Sequence, residues 1–205
     1  MYIPKYFSQD DPAVLLEVMQ RYDFATLITT LDGAPSATHV PVLARRTDGV
    51  LHISGHLARA NPHWQTLQDG ATALVIFNGP HTYISPTLYQ PTAMVPTWNY
   101  IAVHASGKPT VDHSAHAKLA LLRAQVAHHE PSWQASFDEF ETGFLDSMLN
   151  AIVAFDITVS KVEGKFKLGQ HRLAQNRPEM QQSHETGDDD RRDIADWMKR
   201  LGYWQ

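Results

Sequence analysis

Three short segments concentrate the residue types that ligand chemistry needs. Residues 55–64 read Gly-His-Leu-Ala-Arg-Ala-Asn-Pro-His-Trp, residues 83–86 read Tyr-Ile-Ser-Pro, and residues 96–100 read Pro-Thr-Trp-Asn-Tyr. Together they supply a guanidinium, aromatic rings and short hydrogen-bonding side chains close to expected strand ends. That set suits a flat, phosphorylated, heteroaromatic ligand, and flavin mononucleotide (FMN) is the leading candidate.

Each segment has a functional and a plain reading. Between a strand end and a helix start, Arg59 offers a planar fork for phosphate, while Asn61 caps the helix and His63 adds a donor. The plain alternative is an Asn-Pro helix start beside a solvated arginine. Trp98 or Tyr100 is placed to stack on a ring whose edge pairs with the Asn99 amide; core and turn packing is the alternative. Thr38 and His39 are adjacent on a strand, so alternation lets only one of them face a ligand, and His39 reads equally well as a hydrogen-bonded core histidine. The stretch 163–172, with Lys165, Lys167 and Arg172 against one acid, suits closure over a phosphate or contact with nucleic acid, or a solvated surface. The chain has twelve histidines, but His56 and His63 lack helical ligand spacing, and adjacent His128 and His129 are expected to point apart on a helix. No metal site is assigned.

These side chains need a scaffold. Asp10-Asp11-Pro12 starts a helix, followed by a hairpin of residues 24–30 and 36–43 around Asp32-Gly33. Further strands are expected at 50–54, at 72–77 closed by Asn78-Gly79-Pro80, at 83–85, at 101–111 and at 151–163, with a short helix at 62–68. From Ser114 the pattern turns helical, residues 183–190 look like a solvated linker, and Ile194, Trp197, Met198 and Leu201 mark a closing amphipathic helix. The order suggests a closed antiparallel barrel with helical additions, an open sandwich being the alternative.

Composition narrows the function classes. At 205 residues the chain buries one generous core. With 17 basic and 22 acidic residues the net charge is −5, so no global field draws in a polyanion. No cysteine is present, which excludes disulfides, thiolate metal sites and cysteine nucleophiles. The first residues lack a secretion signal and no apolar run approaches a membrane span, so a cytoplasmic location is expected. Phosphate loops, a nucleophile elbow and helix-turn-helix signals are missing.

Six blocks in order then resemble one family: Phe24-Ala-Thr-Leu, Ala37-Thr-His-Val-Pro41, residues 55–62, Tyr83-Ile-Ser-Pro86, residues 96–100 with Ala102-Val-His104, and Glu163-Gly-Lys-Phe-Lys-Leu168. They are similar to the FMN-binding negative transcriptional regulators of the PaiB type. The resemblance implies a mainly β fold with α additions: an antiparallel split β-barrel of the pyridoxamine-phosphate-oxidase-like class with peripheral helices. Its domain would span 1–177, with inserted helices at about 114–149, and residues 178–205 would form a linker and a helix packing on it. It also implies a homodimer with FMN at the subunit interface. The phosphate would be held by Ser54, Arg59, Asn61 and His63, with Trp98 and Asn99 facing the ring and Lys165, Lys167, Gln170 and Arg172 nearby; Thr38, His39 and His56 complete the candidate set. The family pattern reads Lys-Leu-Ser-Gln-Asn-Arg at the last block, where this chain has Lys167-Leu-Gly-Gln-His-Arg172. The function implied is flavin-linked repression, directly on DNA or by sensing flavin; the alternatives are an FMN-dependent oxidoreductase and a haem-binding split barrel.

Overall fold

A computed structural model describes residues 1–68, 71–89 and 94–205. Seven strands, β1 (Ser8–Gln9), β2 (Phe24–Leu31), β3 (Ala34–Thr47), β4 (Val50–Ala58), β5 (Ala73–Ile84), β6 (Thr97–Asp112) and β7 (Ile152–Lys167), form one sheet in the order β1-β7-β4-β3-β2-β5-β6. A further pairing of β7 with β6 joins the sheet's end back onto itself, which leaves β1 as an appended strand on an antiparallel split barrel with helices. The chain divides into two compact units, residues 16–77 with 104–162, and residues 1–15 with 78–103 and 163–205.

In the first of these, two Asp-Gly turns set the register. Asp32 and Gly33 have φ of 51° and 80°, and Asp48 and Gly49 have 51° and 82°, the double positive φ of a tight hairpin turn. They align Leu27 with Thr38 and Ala44 with Ile53. Alternation then turns Leu27, Val40, Val42, Ile53, Val75 and Ile157 inward, each at 3% exposure or less. Barrel closure rests on Gly107, where an added Cβ would lie 2.1 Å from Thr158 O, so only glycine permits the approach of β6 to β7. Thr110 Oγ1 donates to Asp156 O (3.2 Å) and Ser160 Oγ to Ser106 O (3.3 Å) across the same seam. Helices α2 (His63–Gln68), α3 (Ala115–His129), α4 (Gln134–Asp138) and α5 (Thr142–Asn150) belong to this unit. Ser114 caps α3, its Oγ accepting from Ala117 N at 3.2 Å.

The other unit carries α6 (Pro178–Glu185) and α7 (Asp189–Arg200), which pack on one another. Ile84, Tyr89 and Met180 form one buried cluster, while Ile194, Trp197 and Met198 bury the inner face of α7. Asp188 caps α7, accepting from Arg191 N at 3.0 Å.

Two elements differ from expectation. Asn78-Gly79-Pro80 does not end a strand, because β5 runs on to Ile84. Its ladder with β2 covers only Leu74–Ile76, so Pro80 removes no donor from that pairing. Residues 183–190 are no linker; α6 extends to Glu185 and α7 begins at Asp189, with a short turn between them. Polar composition reflected the solvent-facing sides of two amphipathic helices.

Candidate functional site

Thr38, Asn61 and His63 meet in one network, together with Thr29 and Thr66, which the sequence reading missed. His63 is 3% exposed. Its Nε2 lies 2.8 Å from Thr29 Oγ1 and its Nδ1 2.8 Å from Thr38 Oγ1. Thr66 Oγ1 donates to His63 O at 2.7 Å, so at the 2.6 Å contact Thr29 must donate to Thr66. Thr29 has then spent its only proton and accepts from His63 Nε2–H. Consequently Nδ1 is an acceptor for the Thr38 hydroxyl, which itself accepts from Asn61 Nδ2 at 3.2 Å. Asn61 Oδ1 accepts from His63 N at 3.0 Å and closes the ring. The chain of donors requires neutral His63, and burial holds its pKa below the ordinary imidazole value.

Desolvation also lowers the pKa of His184, whose Nδ1–H donates to Met180 O at 2.8 Å while Nε2 is buried without a partner. Below about 6.5 the unfolded chain binds more protons than the folded one. Stability contributed by neutral His63 and His184 is therefore complete above that pH and lost as pH falls towards the folded-state values. The melting temperature should decline from about pH 7.5 to 5.5, and less steeply in His63→Gln; a flat profile for the parent chain overturns this.

The other expected residues of this unit lie elsewhere. His39 is exposed, 3.1 Å from Thr26 Oγ1 and stacked on Phe24. Arg59 donates Nε to Asn150 O (2.7 Å) and Nη2 to Ile152 O (3.3 Å), and Lys118 Nζ donates to Leu149 O (2.9 Å), so both cations neutralise the C-terminal end of α5. Ser54 Oγ accepts from Arg45 at 2.5 Å, and Arg45 pairs with Asp156 at 3.1 Å. These three line a cavity of about 380 Å³ beneath α3. Burial lowers the pKa of His56, and its Nδ1 has no partner.

In the second unit a cleft of about 240 Å³ is lined by Tyr6, Tyr89, Thr97, Asn99, Lys167 and Arg172, among others. Lys167 Nζ donates to Thr97 Oγ1 and, at 2.7 Å, to Trp98 O, which aims the ammonium into the cleft wall. Desolvation, then Lys165, then Arg172 depress its pKa. Arg172 touches Met94 Sδ at 3.6 Å. Among the described residues no carboxylate lines this cleft, so their positive charge there is uncompensated, whereas Asp156 and Asp112 sit in the cavity under α3. Gly169, at φ 75°, forms part of the wall opposite Asn99. His171, where the family pattern has asparagine, stacks on Tyr6 at 5.0 Å.

The remaining expected residues surround that cleft unevenly. Gln170 Nε2 donates to Tyr6 O (2.9 Å) and Phe166 O (2.7 Å), holding the turn after β7. Lys165 donates to Tyr2 O and lies over the Tyr2 and Tyr100 rings. Asn99 is 5% exposed, but Trp98 is 51% exposed beside Tyr83 and His81. Adjacent strand residues face opposite sides, so one ring cannot meet Trp98 and Asn99 of the same chain.

The chain and its fold have counterparts. A family model described as "Putative FMN-binding domain" matches residues 1–161. The chain is 37% identical over 175 residues to Protease synthase and sporulation protein PAI 2 of Bacillus subtilis, covering 84% of this chain and 83% of that protein. It is 25% identical over 214 residues to an uncharacterized protein of Emericella nidulans, covering 83% and 84%. Among solved structures it resembles the FAD and haem binding protein from Mycobacterium smegmatis, with TM-score 0.61, 18% identity and coverage of 78% and 73%. The flavocytochrome Anf3 from Azotobacter vinelandii gives TM-score 0.62, 13% identity and coverage of 80% and 72%. At these identities the structural likeness concerns the fold.

Proposed function

Because the chain belongs to the FMN-binding-domain family of the PaiB type, we propose that it is a cytoplasmic flavin-dependent regulator that binds FMN as a homodimer, with the phosphate in the Lys167–Arg172 cleft. The observation that carries this reading is the cationic lining of that cleft, free of carboxylates among the described residues. Phosphate recognition needs uncompensated donors, and Lys167, Arg172 and Asn99 provide them. Bound FMN supplies reversible redox and light-absorbing chemistry; the chain's residues bind and orient it. At about 240 Å³ the cleft is smaller than a typical cavity for a ligand of this size, which supports a second chain completing the site. The exposed Trp98 and Tyr83, 6.0 Å apart, are the aromatic surface that this chain would present to its partner's flavin ring. A regulatory role draws on the resemblance of the six sequence blocks to the PaiB-type regulators; the Bacillus subtilis relative is itself named for protease synthase and sporulation. No helix among the described residues is long and apolar enough to cross a membrane.

Absorbance, FMN titration and light scattering on one sample test this reading. A flavin band, one FMN per chain and a dimeric mass are expected. A haem band would replace the cofactor, and rapid bleaching by a reduced nicotinamide would favour an oxidoreductase. A colourless monomer that ignores FMN ends the proposal. Trp98→Ala is expected to weaken FMN by about 1 kcal/mol, roughly fivefold, with the melting temperature unchanged because the side chain is half exposed. Equal affinity would remove Trp98 from the ring site.

A further inference from the structure

Asp23, in the connection between α1 (Pro12–Arg21) and β2, faces the last turn of α3. Its Oδ2 lies 3.0 Å from His128 Nε2 and 3.5 Å from His129 Nε2. The three ligand atoms all fall within 4.8 Å of one another. The two imidazoles meet edge to face with centroids 4.8 Å apart, so neighbours that helical spacing would send apart converge on one carboxylate. None of the three lines the Lys167–Arg172 cleft.

We propose that Asp23, His128 and His129 bind a divalent transition-metal ion of the zinc class. Ligands about 2.0–2.1 Å from a tetrahedral zinc stand roughly 3.3 Å from one another. Two of the three separations, 3.0 and 3.5 Å, bracket that edge, and the third, between the imidazoles, lies within 4.8 Å, so the ion is seated by turning the imidazoles towards one another. Two imidazoles and one carboxylate suit zinc, whereas magnesium prefers an all-oxygen shell.

The setting supports the donor set. Three protein ligands leave one coordination position for water, as in zinc sites that stay open. Side-chain exposures of 18% for Asp23, 37% for His128 and 46% for His129 give the ion a path in from solvent. Both histidines lie at the negative end of the α3 dipole, which favours a cation. The backbone on each side is held: Asp23 O accepts from Val42 N at 3.0 Å, and Glu130 N closes α3 on Val126 O at 2.8 Å. His129 also borders an apolar cavity of about 360 Å³ walled by Trp133, Phe137 and Phe140, so the open position lies near a pocket able to hold an organic ligand.

The test is zinc titration by calorimetry of the metal-stripped full-length chain, with cobalt(II) as a spectroscopic probe. One zinc per chain with micromolar or tighter affinity is expected, together with the visible bands of four-coordinate cobalt and no response to magnesium. Asp23→Asn and His129→Gln should each weaken zinc by roughly 10-fold or more. His113→Gln, a histidine that instead contacts Gln68 and Trp64, should leave it unchanged. Absence of stoichiometric zinc, or parental affinity in His129→Gln, overturns the proposal and leaves His128 hydrogen-bonded to Asp23 with His129 beside it. If Asp23→Asn fails to fold, the exposed His129 still decides the matter. FMN titration of the same variants should be unaltered, so failure here and failure of the flavin reading are separate results.

Discussion

Replacing Lys167 and Arg172 together by alanine is expected to weaken FMN binding by about 3 kcal/mol, roughly a hundredfold, the lower end for two charge-assisted contacts. The lower end applies because Arg172 is exposed and solvent screens it. The pH dependence has a definite sign. Desolvation and the neighbouring Lys165 and Arg172 depress the Lys167 pKa, and a bound phosphate offsets the two like charges. Binding is therefore strongest where free Lys167 is protonated, and it declines as pH rises through that lowered value. It also declines below about pH 6, where a phosphate monoester loses its second charge. Titration across pH and salt reads both arms, and added salt should weaken the parent protein more than the double variant. Desolvation of the Lys167 ammonium offsets its hydrogen bonds to Thr97 and Trp98, so Lys167→Met should keep the melting temperature while losing affinity. A double variant that binds FMN as tightly as the parent would move the phosphate elsewhere, with Arg45 and Ser54 the next candidates.

Local signals in the sequence carried the elements well, because they act over a few residues. Asp32-Gly33 forms its turn through two positive φ angles, and Asp11-Pro12 starts α1. The second turn, Asp48-Gly49, obeys the same rule and carries β3 on to Thr47, past the end that its apolar alternation indicated. Long-range register was not legible. Nothing near Thr29 or Thr66 announces that they complete the His63 network, since residues 34 and 37 positions apart are brought together only by strand pairing and helix placement. The same holds for Arg59, whose guanidinium meets the end of a helix over 90 residues away. Alternation did hold the information that Trp98 and Asn99 face opposite sides of β6, but reading the triplet as one motif concealed it. Lys167 and Arg172 were visible as a basic run; their shared cleft with Tyr6, Tyr89 and Thr97 required the fold.

Trp197→Ala should destabilise the protein by about 3–5 kcal/mol, a large share of the 5–15 kcal/mol that holds an ordinary domain together. Trp197 is 1% exposed, its ring meets Phe166 edge to face at 5.6 Å, and Arg200 lies over it at 4.8 Å. Removing the indole leaves a cavity that the capped helix α7 cannot close without giving up Ile194 and Met198 as well. The consequence reaches the cleft, since Phe166 stands between Lys165 and Lys167 on β7. Denaturant unfolding should therefore show a lower midpoint, and FMN titration a loss of affinity although Trp197 does not line the cleft. This separates two roles for a segment that lies beyond the family match at residue 161. If α7 only covers surface, the midpoint moves by less than about 1 kcal/mol and FMN binds as before. If α7 supports the strand that carries Lys167, stability and affinity fall together, and Trp197→Phe recovers part of both by refilling the space against Phe166.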